Sequence, residues 1–263
     1  MTSNLAKIIR EADAIIILCG AGMGVDSGLS TFRGANAKGW THSVTGREVD
    51  YYDICQGYIF DEHDHADREE AVKFWKDCRN QYQKAVPHEG YEIIMKWVKD
   101  LPYFVFTTNV DHHWSRVGVP ENRLLEIHGS IDKLQCSKPR NNACLSLQDW
   151  TVNSCPSCGG KMRPNILMFN DRGYIDEHQY QIKKEYEKFI KDNCSKNVVL
   201  LTIGAGDAVP TISTEVNSLM RKISKITQIV INPDKFSSTY VISKGALDGL
   251  RELDKEIVKL KTD

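Results

Sequence analysis

Short hydrophobic runs recur along the chain, and segments with apolar residues at helical spacing lie between or after them. The runs are nearly continuously apolar, which is typical of parallel strands covered on both faces. We predict strands at Ala14–Leu18, Tyr103–Thr107, Leu124–His128, Val198–Ile203 and Ile226–Ile231. We predict helices at Asp67–Lys84, Glu89–Lys99, Glu177–Lys191, Val209–Ile223 and Ala246–Leu260. Strands that alternate with helices indicate an α/β fold with a Rossmann-like, doubly wound parallel sheet.

Two stretches interrupt this alternation. Residues 36–86 are polar and aromatic, and residues 131–170 hold a cysteine cluster with little periodicity. We predict that they pack together as a small domain with a helical part and a zinc-binding part. Residues 1–35, 87–130 and 171–263 would then form the Rossmann-like domain.

Charge and cysteine content narrow the class of protein. The 263 residues include 34 basic and 35 acidic side chains, which gives a net charge of -1 and no general attraction to nucleic acid or to a membrane surface. No apolar run approaches the roughly 20 residues that a membrane span needs. The first residues resemble no signal peptide. Half of the eight cysteines are clustered, which favours metal binding in a reducing compartment, so we predict a cytoplasmic protein.

A glycine-rich loop, Gly20-Ala21-Gly22-Met23-Gly24, follows the first predicted strand. Glycines permit a tight turn and a close approach to a ligand, and a helix that follows presents amides to phosphate. Val25 stands where the G-x-G-x-x-G pattern needs its third glycine, so a tight turn without a ligand is the alternative. Arg33 favours a ligand, because a cation behind such a loop suits a pyrophosphate, although it could instead form a surface ion pair.

Further motifs follow the other predicted strands. They are TTNVDHHW (Thr107–Trp114), EIHGS (Glu126–Ser130), IGAGD (Ile203–Asp207) and VIN (Val230–Asn232). Ligands of open α/β sheets bind at the carboxyl ends of strands. With the glycine loop and CPSCGGKMRPNILMF (Cys155–Phe169), these motifs resemble the sirtuin family of NAD-dependent protein deacylases. The resemblance extends over Ala14–Leu250 and implies a cleft between a Rossmann-like domain and a zinc domain, where NAD and an acyl-lysine meet.

The resemblance also implies a set of NAD-binding residues. These are Gly20, Ala21, Gly22, Thr31, Phe32, Arg33, Thr108, Asn109, Asp111, His128, Gly204, Ala205, Gly206, Asn232, Gly245 and Ala246. Among them, the first glycines would surround the diphosphate, and Phe32 with Arg33 would cover the nicotinamide ribose. Asn109 and Asp111 would line the nicotinamide pocket, and Asn232 would bind the adenine ribose.

The predicted catalytic residues are His128, Asn109 and Asp111, with His128 as the general base. A neutral histidine with a pKa near neutrality suits removal of a proton from a ribose hydroxyl. A lone histidine is more often structural, and we interpret the neighbouring His112 and His113 as helix-start or surface residues. The resemblance implies that the acyl-lysine substrate contacts Ile166, Met168 and Phe169.

The chain departs from the family pattern at several positions. It has Gly24 for a serine, Ser30-Thr31 for Pro-Asp, Thr108 for a glutamine, Gly204-Ala205-Gly206 for Gly-Thr-Ser, and Asn170-Asp171 for Gly-Glu. The retained base and Asn/Asp pair favour NAD cleavage. We predict a protein-lysine deacylase that transfers the acyl group to ADP-ribose and releases nicotinamide. Mono-ADP-ribosyl transfer to protein is the alternative, and an NAD-sensing module with little turnover is a third hypothesis.

The sequence gives almost no indication of the acyl group that such an enzyme would prefer. Some sirtuins place a Tyr/Arg pair for acidic acyl groups in the helical excursion, where this chain has Trp75, Arg79 and Tyr82. Their spacing does not fit that pair, so we interpret the segment as a surface helix.

The clustered cysteines follow the pattern Cys136-x7-Cys144-x10-Cys155-x2-Cys158. The second pair has the spacing of a zinc-binding turn, whereas the first pair is wider than usual. We predict one structural zinc ion held by all four thiolates, which would leave no open coordination position. The alternative is that Cys144 is a free thiol and that the segment has lost its metal.

Overall fold

The structure is a computed structural model that describes most of the chain. The described residues are 2–31, 40–42, 45–61, 65–138, 144–146, 154–206, 210–234 and 238–262, with the backbone alone at 40, 144–146 and 261–262. The helices are α1 (Thr2–Arg10), α2 (Tyr51–Ile54), α3 (Arg68–Lys84), α4 (Glu89–Trp97), α5 (His113–Arg116), α6 (Glu177–Asn193), α7 (Thr211–Lys222) and α8 (Ala246–Thr262). The strands are β1 (Ala14–Cys19), β2 (Trp40–Thr41), β3 (Glu48–Val49), β4 (Tyr103–Thr107), β5 (Leu124–Glu126), β6 (Gly129–Cys136), β7 (Cys144–Ser146), β8 (Met162–Ile166), β9 (Asn197–Ile203), β10 (Lys225–Ile231) and β11 (Tyr240–Ile242).

A parallel sheet of six strands, in the order β11-β10-β9-β1-β4-β5, forms the centre of the molecule. Every residue of β1 is buried. Its side chains alternate between the two faces of the sheet, as the pleat requires. Ile15 and Ile17 join a hydrophobic cluster with α1, α4 and α8, whereas Ile16 and Leu18 join a second cluster with α6 and α7. This arrangement confirms the predicted doubly wound, Rossmann-like sheet.

The strand order reverses next to β1. The chain passes from β1 to β4 and β5 on one side and later returns to the other side with β9, β10 and β11. Ligands of such sheets bind in the crevice outside the carboxyl ends of the strands at this switch point. The loops that follow β1, β4, β9 and β10 carry the predicted NAD-binding motifs, and all of them lie at this edge.

The two excursions share a separate hydrophobic cluster. A three-stranded sheet in the order β7-β6-β8 packs against α3, and its core includes Phe60, Trp75, Leu134 and Met168. The cluster therefore joins residues of both interrupting stretches. The boundaries of a separate small domain stay a prediction.

The structure differs from the predicted elements in two ways. The third strand ends at Glu126 and not at His128, because Gly129 has a φ of 85° and the chain turns before β6 begins. Several elements were not predicted, among them α1, β6, β8 and β11. Among the helices of the described residues, none has both the length and the apolar composition to cross a bilayer.

Candidate active site

The glycine loop packs directly against the loop that follows β9. Gly22 N–H donates to the Gly204 carbonyl over 3.0 Å. A Cβ atom built on Gly20 would lie 2.6 Å from Gly204 O, and one on Gly22 would lie 2.6 Å from Gly204 Cα. Gly204 itself has a φ of 58°. These glycines are therefore required by a contact between two backbones, a reason that the sequence pattern did not reveal.

Replacing Gly22 with alanine is expected to destabilise the ligand-free protein by about 1–3 kcal/mol, because the new methyl group would force the two loops apart. Gly206→Ala is the matched control, since nothing lies within 4 Å of a Cβ at that position. Denaturant unfolding of both variants measures the effect. Equal stability of the two variants would contradict the proposed loop contact.

Most of the glycine loop belongs to a short helix that packs against α8. Residues Ala21–Ser27 form this 3₁₀ helix, whereas the sequence predicted a loop that precedes a helix start. Asp26, which the sequence did not single out, accepts a hydrogen bond from Leu247 N over 2.9 Å. The predicted cofactor residues Gly245 and Ala246 lie beside this contact, and Ala246 is buried. They are thereby held next to the glycine loop.

Asn232 lies at the far side of the switch point and bonds to the loop after β9. Its Nδ2 donates to the Ala205 carbonyl over 2.6 Å, and its Oδ1 accepts from Asp234 N over 3.1 Å. A carboxamide has two donors and about two acceptor positions, so one of each remains for a ribose. A Cβ on Gly206 would meet open space. This side of the crevice can therefore accept the predicted adenosine half of NAD.

The loop after β4 is fixed to the end of β1. Thr108 N donates to the Cys19 carbonyl over 3.0 Å, and Asn109 N donates to Thr107 Oγ1 over the same distance. Asp111 Oδ1 accepts a hydrogen bond from His113 N. These bonds hold the backbone of the loop in place and leave the Asn109 carboxamide and Asp111 Oδ2 outside them.

Asn109 and Asp111 keep unused polar atoms in a buried position. They are 9% and 7% exposed, respectively. Within the described ranges, neither the Asn109 carboxamide nor Asp111 Oδ2 has a hydrogen-bond partner. These atoms are not among the enclosed polar atoms without partners in the described residues, so they face accessible space from largely buried side chains. The two side chains together offer the donors and acceptors that the carboxamide of nicotinamide would pair with.

The charge of Asp111 depends on its surroundings. Burial raises the pKa of Asp111, and the neighbouring His113 opposes this rise. His113 is fully buried at the first position of α5, so it is not a surface residue. Gly24, where the sirtuin pattern has serine, lies close to Asp111, and a Cβ there would be 3.5 Å from Asp111 Oδ2.

His128 lies in the turn between β5 and β6, at the same edge of the sheet. Its backbone carbonyl accepts a hydrogen bond from Leu167 N over 2.9 Å, and its Nε2 lies 3.5 Å from Thr211 Oγ1 on α7. Burial lowers the pKa of His128, and a backbone hydrogen bond with Thr108 opposes this shift. The ring is therefore neutral near pH 7. Thr211 was missed because its contact joins residues far apart in sequence.

Two of the predicted NAD-binding residues, Phe32 and Arg33, lie outside the described residues. Thr31, which precedes them, is half-buried. The proposed cover over the nicotinamide ribose therefore stays a prediction.

The predicted substrate segment begins at the end of β8 in the three-stranded sheet, next to His128. Ile166 pairs with Gly129 across β8 and β6, next to His128. Phe169 N donates to the Cys55 carbonyl over 2.9 Å, and Phe169 O accepts from Gly57 N over 2.8 Å. The ring of Phe169 lies 4.8 Å from that of Tyr52, whereas Met168 is buried.

The departure Asn170-Asp171 has a structural explanation. Asn170 has a φ of 54°, a conformation that glycine adopts freely and that asparagine tolerates better than most residues. Asp171 forms a buried ion pair with Arg163. Its two oxygens also accept from Met168 N and Gly173 N, at 3.2 and 3.0 Å. The pair thus holds the turn after the substrate segment in place.

Three of the four predicted zinc ligands come together. The thiol sulfurs of Cys136, Cys155 and Cys158 lie within 4.8 Å of one another, and those of Cys136 and Cys158 are 3.6 Å apart. Zinc at its usual 2.3 Å from each of four sulfurs would separate them by about 3.8 Å, so the cluster fits the ion. The side chain of Cys144 lies outside the described residues. Its backbone in β7 pairs with Gln135, directly beside Cys136.

The purified protein is expected to contain one zinc ion per chain, and Cys155→Ser is expected to lose it and to melt at a lower temperature, because a structural zinc contributes directly to folding. Elemental analysis and thermal unfolding measure both effects. Cys194→Ser is the control, since Cys194 lies at the end of α6, away from the cluster. Purified wild-type protein without zinc, or a Cys155→Ser variant that melts at the wild-type temperature, would overturn the assignment.

The interpretation of α3 as a surface helix is wrong for the side chains in question. Trp75, Arg79 and Tyr82 are all buried, at 0%, 6% and 7% exposure. Arg79 Nε donates to Asp132 Oδ1 over 3.1 Å. This guanidinium is therefore already paired with a carboxylate of the protein, which argues against its use for an acidic acyl group.

The chain is similar to NAD-dependent protein deacylases and deacetylases. The chain is 28% identical to an NAD-dependent protein deacylase of Campylobacter jejuni over 246 residues, which is 89% of this chain and 94% of that protein. It is 29% identical to an NAD-dependent protein deacetylase of Shouchella clausii over 164 residues, which is 62% of this chain and 63% of that protein.

Solved structures agree on the fold. A Sir2 homologue in complex with NAD superimposes with a TM-score of 0.77 at 19% identity, covering 98% of this chain and 94% of that one. A mutant Sir2 homologue with 2′-O-acetyl ADP-ribose gives a TM-score of 0.75 at 20% identity. The model of the Sir2 family, the sirtuins, matches residues 20–210. Because that match takes in more than half of the chain, the protein belongs to the Sir2 family.

Proposed function

We propose that this protein is an NAD-dependent protein-lysine deacylase, which transfers the acyl group of a modified lysine to ADP-ribose and releases nicotinamide. One observation carries the proposal. The polar side-chain atoms of Asn109 and Asp111 that have no partner among the described residues, and the neutral ring of His128, lie on loops at one edge of the sheet. A module that only binds NAD needs no base. The names of the relatives from Campylobacter and Shouchella support the same activity.

The side chains have separate roles in this proposal. When bound, NAD supplies the bond between nicotinamide and ribose and the ADP-ribose that accepts the acyl group. Asn109 and Asp111 orient the nicotinamide carboxamide in a site where burial strengthens hydrogen bonds and excludes water. His128 accepts a proton from a ribose hydroxyl on its neutral ring. Thr211 keeps the imidazole in position.

An acylated protein or peptide is the proposed second substrate. Leu167, between the predicted contacts Ile166 and Met168, is 39% exposed next to the carbonyl of His128. An extended peptide could add along this segment through main-chain hydrogen bonds, with its acylated side chain pointing toward the base. Charge gives no reason to expect nucleic acid as a partner, and an intracellular location stays a prediction.

The test is incubation of the protein with NAD and a panel of acyl-lysine peptides, with products identified by mass spectrometry. Deacylated peptide together with O-acyl-ADP-ribose is the expected result. ADP-ribose linked to an unacylated protein target would instead establish the alternative transferase. Release of nicotinamide without either product would identify an NAD hydrolase. If NAD remained intact, the protein would be a module that only binds NAD.

The acid limb of the activity profile is expected to lie below pH 6.5. His128 must be neutral to act as a base, and burial lowers its pKa below the ordinary 6.5. The rate therefore holds as pH falls to 6.5 and declines below it, as the ring becomes protonated. A profile of kcat/KM against pH measures this. A midpoint of the acid limb above 6.5 would contradict the assignment of His128 as the titrating base.

A further inference from the structure

His112 has an unusual backbone conformation for its position between the active-site loop and α5. Its φ is 62°, in the left-handed region that glycine occupies without strain. Histidine is tolerated there better than most residues, but glycine would fit more easily. Such outliers persist where the surroundings hold them in place, which makes the contacts of this side chain informative.

The His112 ring bridges the loop after β4 and the strands that flank His128. Its Nδ1 lies 3.5 Å from Glu126 Oε1 and 3.4 Å from Ser130 Oγ. The His112 side chain is 31% exposed, and that of Glu126 is 11% exposed. Glu126 ends β5 two residues before His128, and His112 directly follows Asp111. The contact thus joins the two segments that carry the proposed catalytic residues.

We propose that His112 and Glu126 are a positioning pair, which holds the loop of Asn109 and Asp111 at a fixed distance from the turn of His128. The contact stands on the geometry alone, whereas its effect on turnover rests on the proposed function. Misplacement of a reacting group by about 1 Å can lower a rate 100-fold, so even a modest shift of this loop is measurable.

The pair is sensitive to pH. The hydrogen bond to Glu126 raises the pKa of His112, Asp132 adds to this rise, and Lys133 opposes it. Burial raises the pKa of Glu126, and His112 and Lys133 oppose that rise whereas Asp111 adds to it. His112 carries its charge only below its pKa, and Glu126 carries its charge only above its own. The contact therefore weakens as pH rises through the pKa of His112, which predicts an alkaline limb in the activity profile.

Variants at positions 112 and 126 test the pair against a matched control. His112→Gly is expected to keep or raise the melting temperature, because glycine adopts this φ freely, yet to lower kcat about fivefold or more. Glu126→Gln is expected to lower kcat and to move the alkaline limb to lower pH. His112→Asn, which tolerates the same φ and retains a polar side chain, should restore part of kcat. The control is His178→Asn, which breaks a partly exposed His–Glu contact with Glu121 at 3.4 Å.

Hydrogen exchange separates this proposal from the proposed function. In His112→Gly, the backbone amides of residues 109–113 are expected to exchange faster than in the wild type, whereas His178→Asn leaves them unchanged. If the wild type lacked deacylase activity, the proposed function would fail, and exchange alone would decide on the pair. Unchanged exchange in His112→Gly, or a wild-type kcat with the alkaline limb intact, would overturn the positioning role.

Discussion

Replacing His128 with alanine is expected to lower kcat about 10²–10⁴-fold, the usual contribution of a general base. The half-buried imidazole is neutral and lies 3.5 Å from Thr211 Oγ1, and no other described residue of the turn between β5 and β6 offers a base. The structural contact of this residue uses its backbone, since Leu167 N donates to the His128 carbonyl. Alanine keeps that carbonyl, so the variant should fold and should still bind NAD.

Steady-state kinetics, NAD titration calorimetry and thermal unfolding together measure this prediction. His178→Ala is the control, because it removes a partly exposed histidine on α6. A His128→Ala protein that binds NAD with near wild-type affinity and turns over normally would refute the role of the base. Loss of both folding and binding would show that the ring is structural.

Replacing Asp171 with asparagine is expected to destabilise the protein by about 3–5 kcal/mol, because it leaves the guanidinium of Arg163 buried without a counter-charge. The side chains of Arg163 and Asp171 are 1% and 0% exposed. The Arg163 guanidinium also lies 5.5 Å from the ring of Phe60, which belongs to the hydrophobic cluster shared by the two excursions. Solvent therefore cannot replace the lost carboxylate.

The same substitution weakens the acceptor of Met168 N, so the KM for an acylated peptide should rise as well. Asp53→Asn is the matched control, since its pair with Arg47 is more than half exposed on both sides and 3.9 Å long. Exposed pairs contribute about 0–1 kcal/mol. Denaturant unfolding compares the two variants, and similar losses would disprove a special role for the buried pair.

The sheet could be predicted because its strands are covered on both faces and are therefore apolar throughout, as in Ala14–Cys19. Strands β6 and β8 escaped prediction for the opposite reason. The sequences GSIDKLQC and MRPNI mix polar and apolar residues, and the buried Arg163 and Asn165 make their polar contacts with residues outside their strand. Local periodicity does not indicate such partners.

The site could be predicted where its residues follow strands directly, as Asn109 and Asp111 do. Its supporting contacts could not. These contacts join segments that are far apart in the chain. Gly22 bonds to Gly204, and His128 lies against Thr211. Trp75 is buried because α3 packs against the three-stranded sheet. The spacing of residues along α3 alone does not determine this burial.

The most direct test of the central claim is a stoichiometry. The protein is incubated with NAD and an acetyl-lysine peptide, and free nicotinamide and deacetylated peptide are quantified over time. The account predicts equal amounts of the two products and no deacetylation without NAD. Nicotinamide release that exceeds deacetylation many-fold, or deacetylation in the absence of NAD, would contradict it.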